Sequence, residues 1–423
     1  MATHAPDVHE SSLTSYSRWA LALTVGAMFS YVWRFKVGPI PTTVLEILIL
    51  ATIALYIGGR IQSGGGWVPR RAGLEIPTAL LLLAGLLGIA ISPDHIGALG
   101  IYRAYFIEPV ILFYIAIDLL RTTQHFRIVL LGFAIGATLF AILNLGAWAL
   151  AFLHHDPIAT ANAPEALYTS PNAVAMFLEP PLALAAGFGL YADSQRDRRI
   201  ALACVVFMLA AMLLTLSRAG WLTLAVLALV AVVTMPQRRL KLALLGGALI
   251  GGFAVAQVPY VAVRLQHQLD PSYPFNTFEG RLQIWSDTLL MLRDHPILGA
   301  GLRAYTQVMT PYVHGHRIAE LYPHDVWLAM WSELGILGLA SFVALMAILL
   351  WRGWRGFATA GGFWRPLLWG TAAGFVAIAV HGTFDTPYFK NDLAVEFWIL
   401  AALEIAALRL ISAQPTGNRV PTR

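Results

Sequence analysis

The sequence predicts an all-α, polytopic integral membrane protein, and three observations carry that expectation. Apolar residues make up 58% of the 423 residues and charged residues only 12%, with a mean hydropathy of +0.67; soluble domains carry about twice that share of charge. Apolar runs of about 20 residues, the length that crosses the hydrocarbon core, recur along most of the chain. Lysine and arginine gather in alternate connections between these runs, as the positive-inside rule requires.

Taken in order, the predicted spans are 18–34, 42–59, 74–92, 99–120, 126–150, 171–191, 200–217, 219–235, 240–258, 323–351, 366–384 and 393–411, about 12 transmembrane helices. Arg60, Arg70 and Arg71 fall in one connection, Arg121 and Arg127 in the next but one, followed by Arg196, Arg198 and Arg199, then Arg238, Arg239 and Lys241, then Arg352, Arg355 and Arg365. Both termini are therefore expected in the cytoplasm, with one large loop, 259–322, between helices 9 and 10 on the far face. Long loops translocate largely regardless of charge, so the loop's arginines do not break the rule. Met1 to Ser17 is polar and no small-residue cleavage pattern follows it, so no removable signal peptide is expected. The tail after Ser412 is expected to be disordered. The chain divides into N-terminal membrane helices (1–198), a core containing the polar loop (199–350), and C-terminal helices with the tail (351–423).

Composition also narrows the function. Cys204 is the only cysteine and lies in an apolar run, which excludes a disulfide framework and a cysteine-type metal site. The net charge of +5 reflects cytoplasmic connections, and no nucleic-acid partner is expected; membrane lipids are. A secondary transporter would place polar groups at midplane in two matching halves, whereas here they concentrate in one loop of the second half.

Within and around that loop stand the residues able to carry chemistry. Arg218, in Leu216-Ser217-Arg218-Ala219-Gly220, sits between two apolar runs with almost no room for a connection. A charge there is either an interfacial snorkelling arginine or a functional one. Arg281 opens an amphipathic helix, Glu279 to Leu292, expected to lie along the membrane surface, and is either paired with Glu279 or Asp287 or free to grip a ligand. Two guanidinium forks on one face suit the oxygens of a diphosphate. His324, in Tyr322-Pro323-His324-Asp325, stands where the loop re-enters the membrane and can accept a proton near neutral pH; Asp325 beside it caps the following helix or orients the imidazole. Asp325, Arg303 and Asn172, the last at the start of the sixth span, complete the candidate substrate contacts. Arg103 and Glu108 read as an intramembrane structural pair. His314 and His316, like His154, His155 and Asp156, lack metal-ligand spacing, and no metal site is expected.

Three sequence blocks carry a resemblance: Ser217-Arg218-Ala219-Gly220; Gly280-Arg281-Leu282-Gln283-Ile284-Trp285 followed by His295-Pro296-Ile297-Leu298-Gly299-Ala300-Gly301; and Pro323-His324-Asp325-Val326-Trp327-Leu328 running into Glu333-Leu334-Gly335-Ile336-Leu337-Gly338. In order and separation they resemble the O-antigen ligase and polymerase superfamily of bacterial membrane glycosyltransferases. One position departs, since relatives commonly have Asn where this chain has Asp325. The resemblance implies a GT-C-like, inverting, metal-independent transferase of the inner membrane that needs no cofactor. Such an enzyme moves a glycan from an undecaprenyl-diphosphate donor to lipid A-core, or to a lipid-linked glycan acceptor if it is a polymerase, on the periplasmic face. Carried onto this sequence, Arg218 and Arg281 would hold the diphosphate and His324 would act as base on the acceptor hydroxyl.

Overall fold

The computed structural model describes residues 11–38, 40–64, 70–155, 166–238, 241–242, 246–247, 277–314 and 320–413. The predicted ninth span, 240–258, falls almost wholly outside these residues, as do Arg264, His316 and Arg317. Apart from one short hairpin, the regular structure described is helical.

Helix α1 (Ser12–Gly26) opens on Ser11, whose hydroxyl accepts from the Thr14 N–H. It corrects the expected span 18–34. The helix ends at Gly26, a short 3-10 turn follows, and Arg34–Val37 (β1) pairs antiparallel with Ile40–Thr43 (β2), Arg34 opposite Thr43. The charged residues Arg34 and Lys36 alternate with Phe35 and Val37, a period of two that the apolar run leading into it masks in the sequence. Thr43 then starts α2 (Val44–Gln62) with a capping box to Glu46.

Helices α3 (Glu75–Ile91), α4 (His95–Tyr102), α5 (Glu108–Leu119) and α6 (Thr123–Leu153) follow, α4 and α5 joined by a π turn at Arg103–Ile107. Arg103 bridges Glu46 at 2.8 Å and Glu108 at 3.4 Å, so the expected structural pair is a triad. Next come α7 (Pro171–Tyr191), α8 (Gln195–Leu214), α9 (Arg218–Thr234), α10 (Thr277–Asp294) and the short α11 (Tyr305–Met309). The fold closes with α12 (Val326–Thr359), α13 (Trp364–Gly382) and α14 (Asn391–Ala413). Among the described residues, five helical stretches are long and apolar enough to cross a membrane: α2, the continuous stretch His95–Leu119, α6, α7 and α12. Together they make this a membrane protein. The two ends of the bundle differ in charge. At the end where α2 and α5 finish and α6 begins, buried Asp118 collects Arg70 at 2.8 Å, Arg121 at 3.0 Å, Arg60 at 3.7 Å and the Tyr56 hydroxyl at 3.0 Å.

At the other end, the segment after α10 is docked onto α12 through backbone. Helix α12 is broken at Gly335, whose φ of 70° and ψ of −175° no side-chain-bearing residue adopts comfortably. The break frees peptide groups that the His295–Gly301 segment satisfies: Ala300 N–H donates to the Ser332 carbonyl at 2.6 Å, and Ile336 N–H donates to the Ile297 carbonyl at 2.9 Å. Two indoles fasten the same junction, Trp331 Nε1–H to the Pro296 carbonyl at 2.8 Å and Trp285 Nε1–H to the Pro323 carbonyl at 3.0 Å. Arg281 lies one turn before Trp285 and His324 directly follows Pro323, so the second clasp fixes the two candidates to one another.

A Cβ at Gly335 would stand 2.3 Å from the Ile297 carbonyl oxygen and 2.9 Å from Leu298 Cα. Gly335→Ala is therefore expected to cost about 2–4 kcal/mol from strain and overlap together, read as a clear drop in melting temperature in detergent. Gly361→Ala, placed where an added Cβ meets nothing within 4 Å, should leave it unchanged.

Candidate active site

Four helix ends and one turn converge at the end of the bundle away from Asp118. Ser217 caps α9 by accepting from the Gly220 N–H at 3.1 Å, and its hydroxyl donates to Asn172 Oδ1, at the start of α7, at 2.7 Å. Gly220 belongs to the same motif for a packing reason: a Cβ there would lie 3.0 Å from that of Ala175, so its absence brings α9 against α7. Arg218, half-buried, is the first residue of α9 and follows directly on the serine that contacts Asn172.

The Asn172 amide donates in turn to Asp385 Oδ2 at 2.7 Å. Asp385 lies in the turn between α13 and α14 and is 7% exposed. Its other oxygen, Oδ1, accepts from the Thr386 N–H at 2.9 Å and stands 3.4 Å from His324 Nδ1. The Arg281 guanidinium reaches Oδ2 at 4.0 Å. Burial alone would raise the Asp385 carboxyl, but the hydrogen bond and charge of His324, the charge of His381 and the Asn172 amide outweigh it and hold the group well below the usual carboxylate range. Asp385 is therefore an anion throughout the neutral range. At 4.0 Å its contact with Arg281 is electrostatic rather than a hydrogen bond, which leaves the guanidinium donors available to another anion. Burial lowers the Arg281 pKa and the charge of Asp385 opposes that shift; a guanidinium stays protonated regardless.

His324 has φ of 51°, in the left-handed region, a strain of roughly 1–3 kcal/mol that the surrounding contacts must hold. On one side is the Trp285–Pro323 clasp; on the other, Asp325 caps α12, its carboxylate accepting from the Leu328 N–H at 2.8 Å. Nδ1 faces Asp385, and the His324 side chain is 37% exposed. An imidazole held at one nitrogen by a carboxylate, and open to its surroundings, is suited to taking a proton at the other.

The structure thus brings Arg281, His324 and Asn172 onto Asp385, with Arg218 next to the Asn172 contact. Arg281 meets Asp385 rather than either of the partners expected on its own helix. Arg303 is engaged elsewhere: its side chain pairs with Asp94 at 3.2 Å and its N–H donates to the Glu333 carboxylate. His314 Nδ1 pairs with Asp287 at 2.8 Å. Among the described residues, no three His, Cys, Asp or Glu side chains gather as metal ligands would. Asp385 itself escaped sequence reasoning. Its only signal is an acidic residue directly after an apolar span, in Gly382-Thr383-Phe384-Asp385-Thr386-Pro387.

Residues 203–343 match the family model described as O-antigen ligase. The chain carries an O-antigen ligase-family domain. That stretch runs from within α8 to within α12 and so includes Arg218, Arg281 and His324, while Asn172 and Asp385 join them from outside it. No curated protein matches the chain.

Burial pushes the Asp325 carboxyl up to about 6, with the Leu328 and Trp327 N–H groups opposing. A carboxyl whose pKa is raised on folding penalises the folded state once ionised: the penalty is absent below the ordinary aspartate value near 4 and complete above about 6. Asp325→Asn keeps a capping oxygen and cannot ionise. It should melt higher than wild type at pH 7.5, and the difference should shrink as the pH is lowered to 4.5, as followed by thermal unfolding in detergent.

Proposed function

We propose that this protein is an O-antigen ligase-type glycosyltransferase that moves a glycan from undecaprenyl diphosphate to lipid A-core on the periplasmic face of the bacterial inner membrane. The observation that carries this reading is the meeting on one buried carboxylate of Arg281 and His324, both of which lie in the stretch that matches the O-antigen ligase family model. The roles follow from charge and geometry. The acceptor sugar hydroxyl attacks the anomeric carbon of the donor from the side opposite the diphosphate, which inverts the configuration. His324 takes the hydroxyl proton as the new glycosidic bond forms. The bond from the anomeric carbon to the diphosphate oxygen breaks, and the electron pair leaves with undecaprenyl diphosphate. Arg218 and Arg281 stabilise the charge that develops there, as fixed cations in a water-poor site do best. Asp385 holds the imidazole by Nδ1 and stabilises the imidazolium that forms. The donor already carries its leaving group, so the reaction calls for neither a nucleotide nor a metal.

The orientation rests on charge. The arginine-rich end around Asp118 is assigned to the cytoplasm and the Asp385 end to the periplasm, with both termini cytoplasmic. Residues 199–350 then form the catalytic core, flanked by helices 1–198 and 351–423 that complete the site from both sides.

Purified protein in detergent, given undecaprenyl-diphosphate glycan and lipid A-core in the presence of a chelator, should form glycosylated lipid A-core. Arg218→Ala, Arg281→Ala and His324→Ala should each lower the rate by at least about 100-fold with unchanged membrane abundance. Near-normal transfer by His324→Ala would remove the base from the scheme. Lengthening of a lipid-linked acceptor in place of lipid A-core would make the protein a polymerase.

A further inference from the structure

Helices α7, α9 and α13, whose ends or following turn build the site around Asn172 and Asp385, meet a second time deeper in the bundle. On α7, Glu179 follows Asn172 by seven residues, two turns, and so shares its face. On α9, Thr223 lies one to two turns below Ser217. On α13, His381 precedes Asp385 by four residues. Glu179 Oε1 and His381 Nδ1 are 2.6 Å apart, with side chains 1% and 0% exposed. Thr223, also fully buried, lies beside the same carboxylate, its hydroxyl donating to the Ala219 carbonyl at 2.9 Å.

This lower layer is joined to the site through backbone as well as proximity. The His381 carbonyl accepts from the Asp385 N–H at 3.0 Å and from the Phe384 N–H at 2.8 Å. The turn that presents Asp385 is therefore built on His381, and the rotation of His381 about its helix is fixed by Glu179. Helices α7 and α13 approach closely enough to make that fixing rigid: a Cβ at Gly187 would lie 2.4 Å from the Pro366 carbonyl oxygen, and one at Gly370 would lie 2.7 Å from Leu184 Cα. A buried acid and imidazole are costly in a membrane bundle and persist when they serve a purpose. None of the three side chains has an exposed surface from which to touch a substrate.

We propose that Glu179, His381 and Thr223 are positioning residues that hold the Asp385 turn, and through it His324 and Arg281, in register for group transfer. The proposal rests on the transferase reading above. Its signature is a loss in kcat without a matching change in substrate affinity, because substrates touch the upper layer only. A displacement of about 1 Å at a reacting group costs up to about 100-fold in rate.

The test is steady-state transfer by the purified full chain, with donor and acceptor varied separately. Glu179→Ala is expected to lower kcat at least about tenfold while either KM moves less than about threefold. Glu179→Gln, which still offers His381 an amide oxygen, should recover kcat to within about threefold of wild type, a rescue that bulk destabilisation would not produce. If Glu179→Ala melts early, Thr223→Val carries the test, since it removes the hydroxyl beside that carboxylate at nearly constant volume and is expected to lower kcat severalfold. Wild-type kcat in folded Glu179→Ala or in Thr223→Val, or equal losses in Glu179→Ala and Glu179→Gln, would overturn the positioning role. Absence of transfer by the wild-type protein would instead overturn the transferase reading, so the two failures are separable.

Discussion

A buried anion must be surrounded by groups that stabilise it, and in this protein that requirement organises the site. Asp385 is nearly sealed from solvent and ionised, and the donors that make this possible come from distant parts of the chain: the Asn172 amide from α7, His324 from the start of α12, Arg281 from α10 and the N–H of its own neighbour Thr386. Leaving such a carboxylate without them would cost several kcal/mol. The same attraction that stabilises Asp385 therefore gathers an imidazole and a guanidinium at one place.

The rest of the architecture delivers those groups at the right height. The arginine of α10 reaches the site only because the segment after α10 is sewn to the break in α12, a junction that depends on close backbone contact at Gly335 and on the two indole clasps. The left-handed conformation of His324 is held between one of those clasps and the Asp325 cap. Strain of this kind is typical where a scaffold must aim a side chain rather than merely bury it. At the opposite end of the bundle, Asp118 and its three arginines make a second charged node of different composition. The chain thus has two polar ends that are not interchangeable, one where three arginines surround a single carboxylate and one mixing imidazole, carboxylate, amide and guanidinium groups.

Much of this was legible in the sequence, for identifiable reasons. Helices were visible because apolar run length is a property of neighbouring residues, and helix starts coincided with Ser217, with Asp325 and with the Ser170-Pro171 pair. Arg218, Arg281 and His324 stood out because charge and imidazole are rare against so apolar a background. The hairpin at Arg34–Thr43 did not stand out, since its four-residue strands are short and come just after the apolar residues of α1 and of the 3-10 turn Met28–Val32. Asp385 was missed because its importance is wholly non-local: it is 213 residues from Asn172 and 61 from His324, and nothing near it in the chain announces either partner. The engagement of Arg303 with Asp94 was hidden for the same reason, and so was the pairing of His381 with Glu179 across 202 residues.

The central claim is that Asp385 and His324 act as one unit, and a double-mutant cycle on the transfer rate tests it most directly. If they do, Asp385→Ala in a chain already carrying His324→Ala will cost little further rate, because a positioner has nothing left to position. The coupling between the two substitutions will then be nearly as large as the effect of Asp385→Ala alone. Fully additive losses, with the double variant slower than either single one by the product of their effects, would contradict the account and make Asp385 an independent contributor.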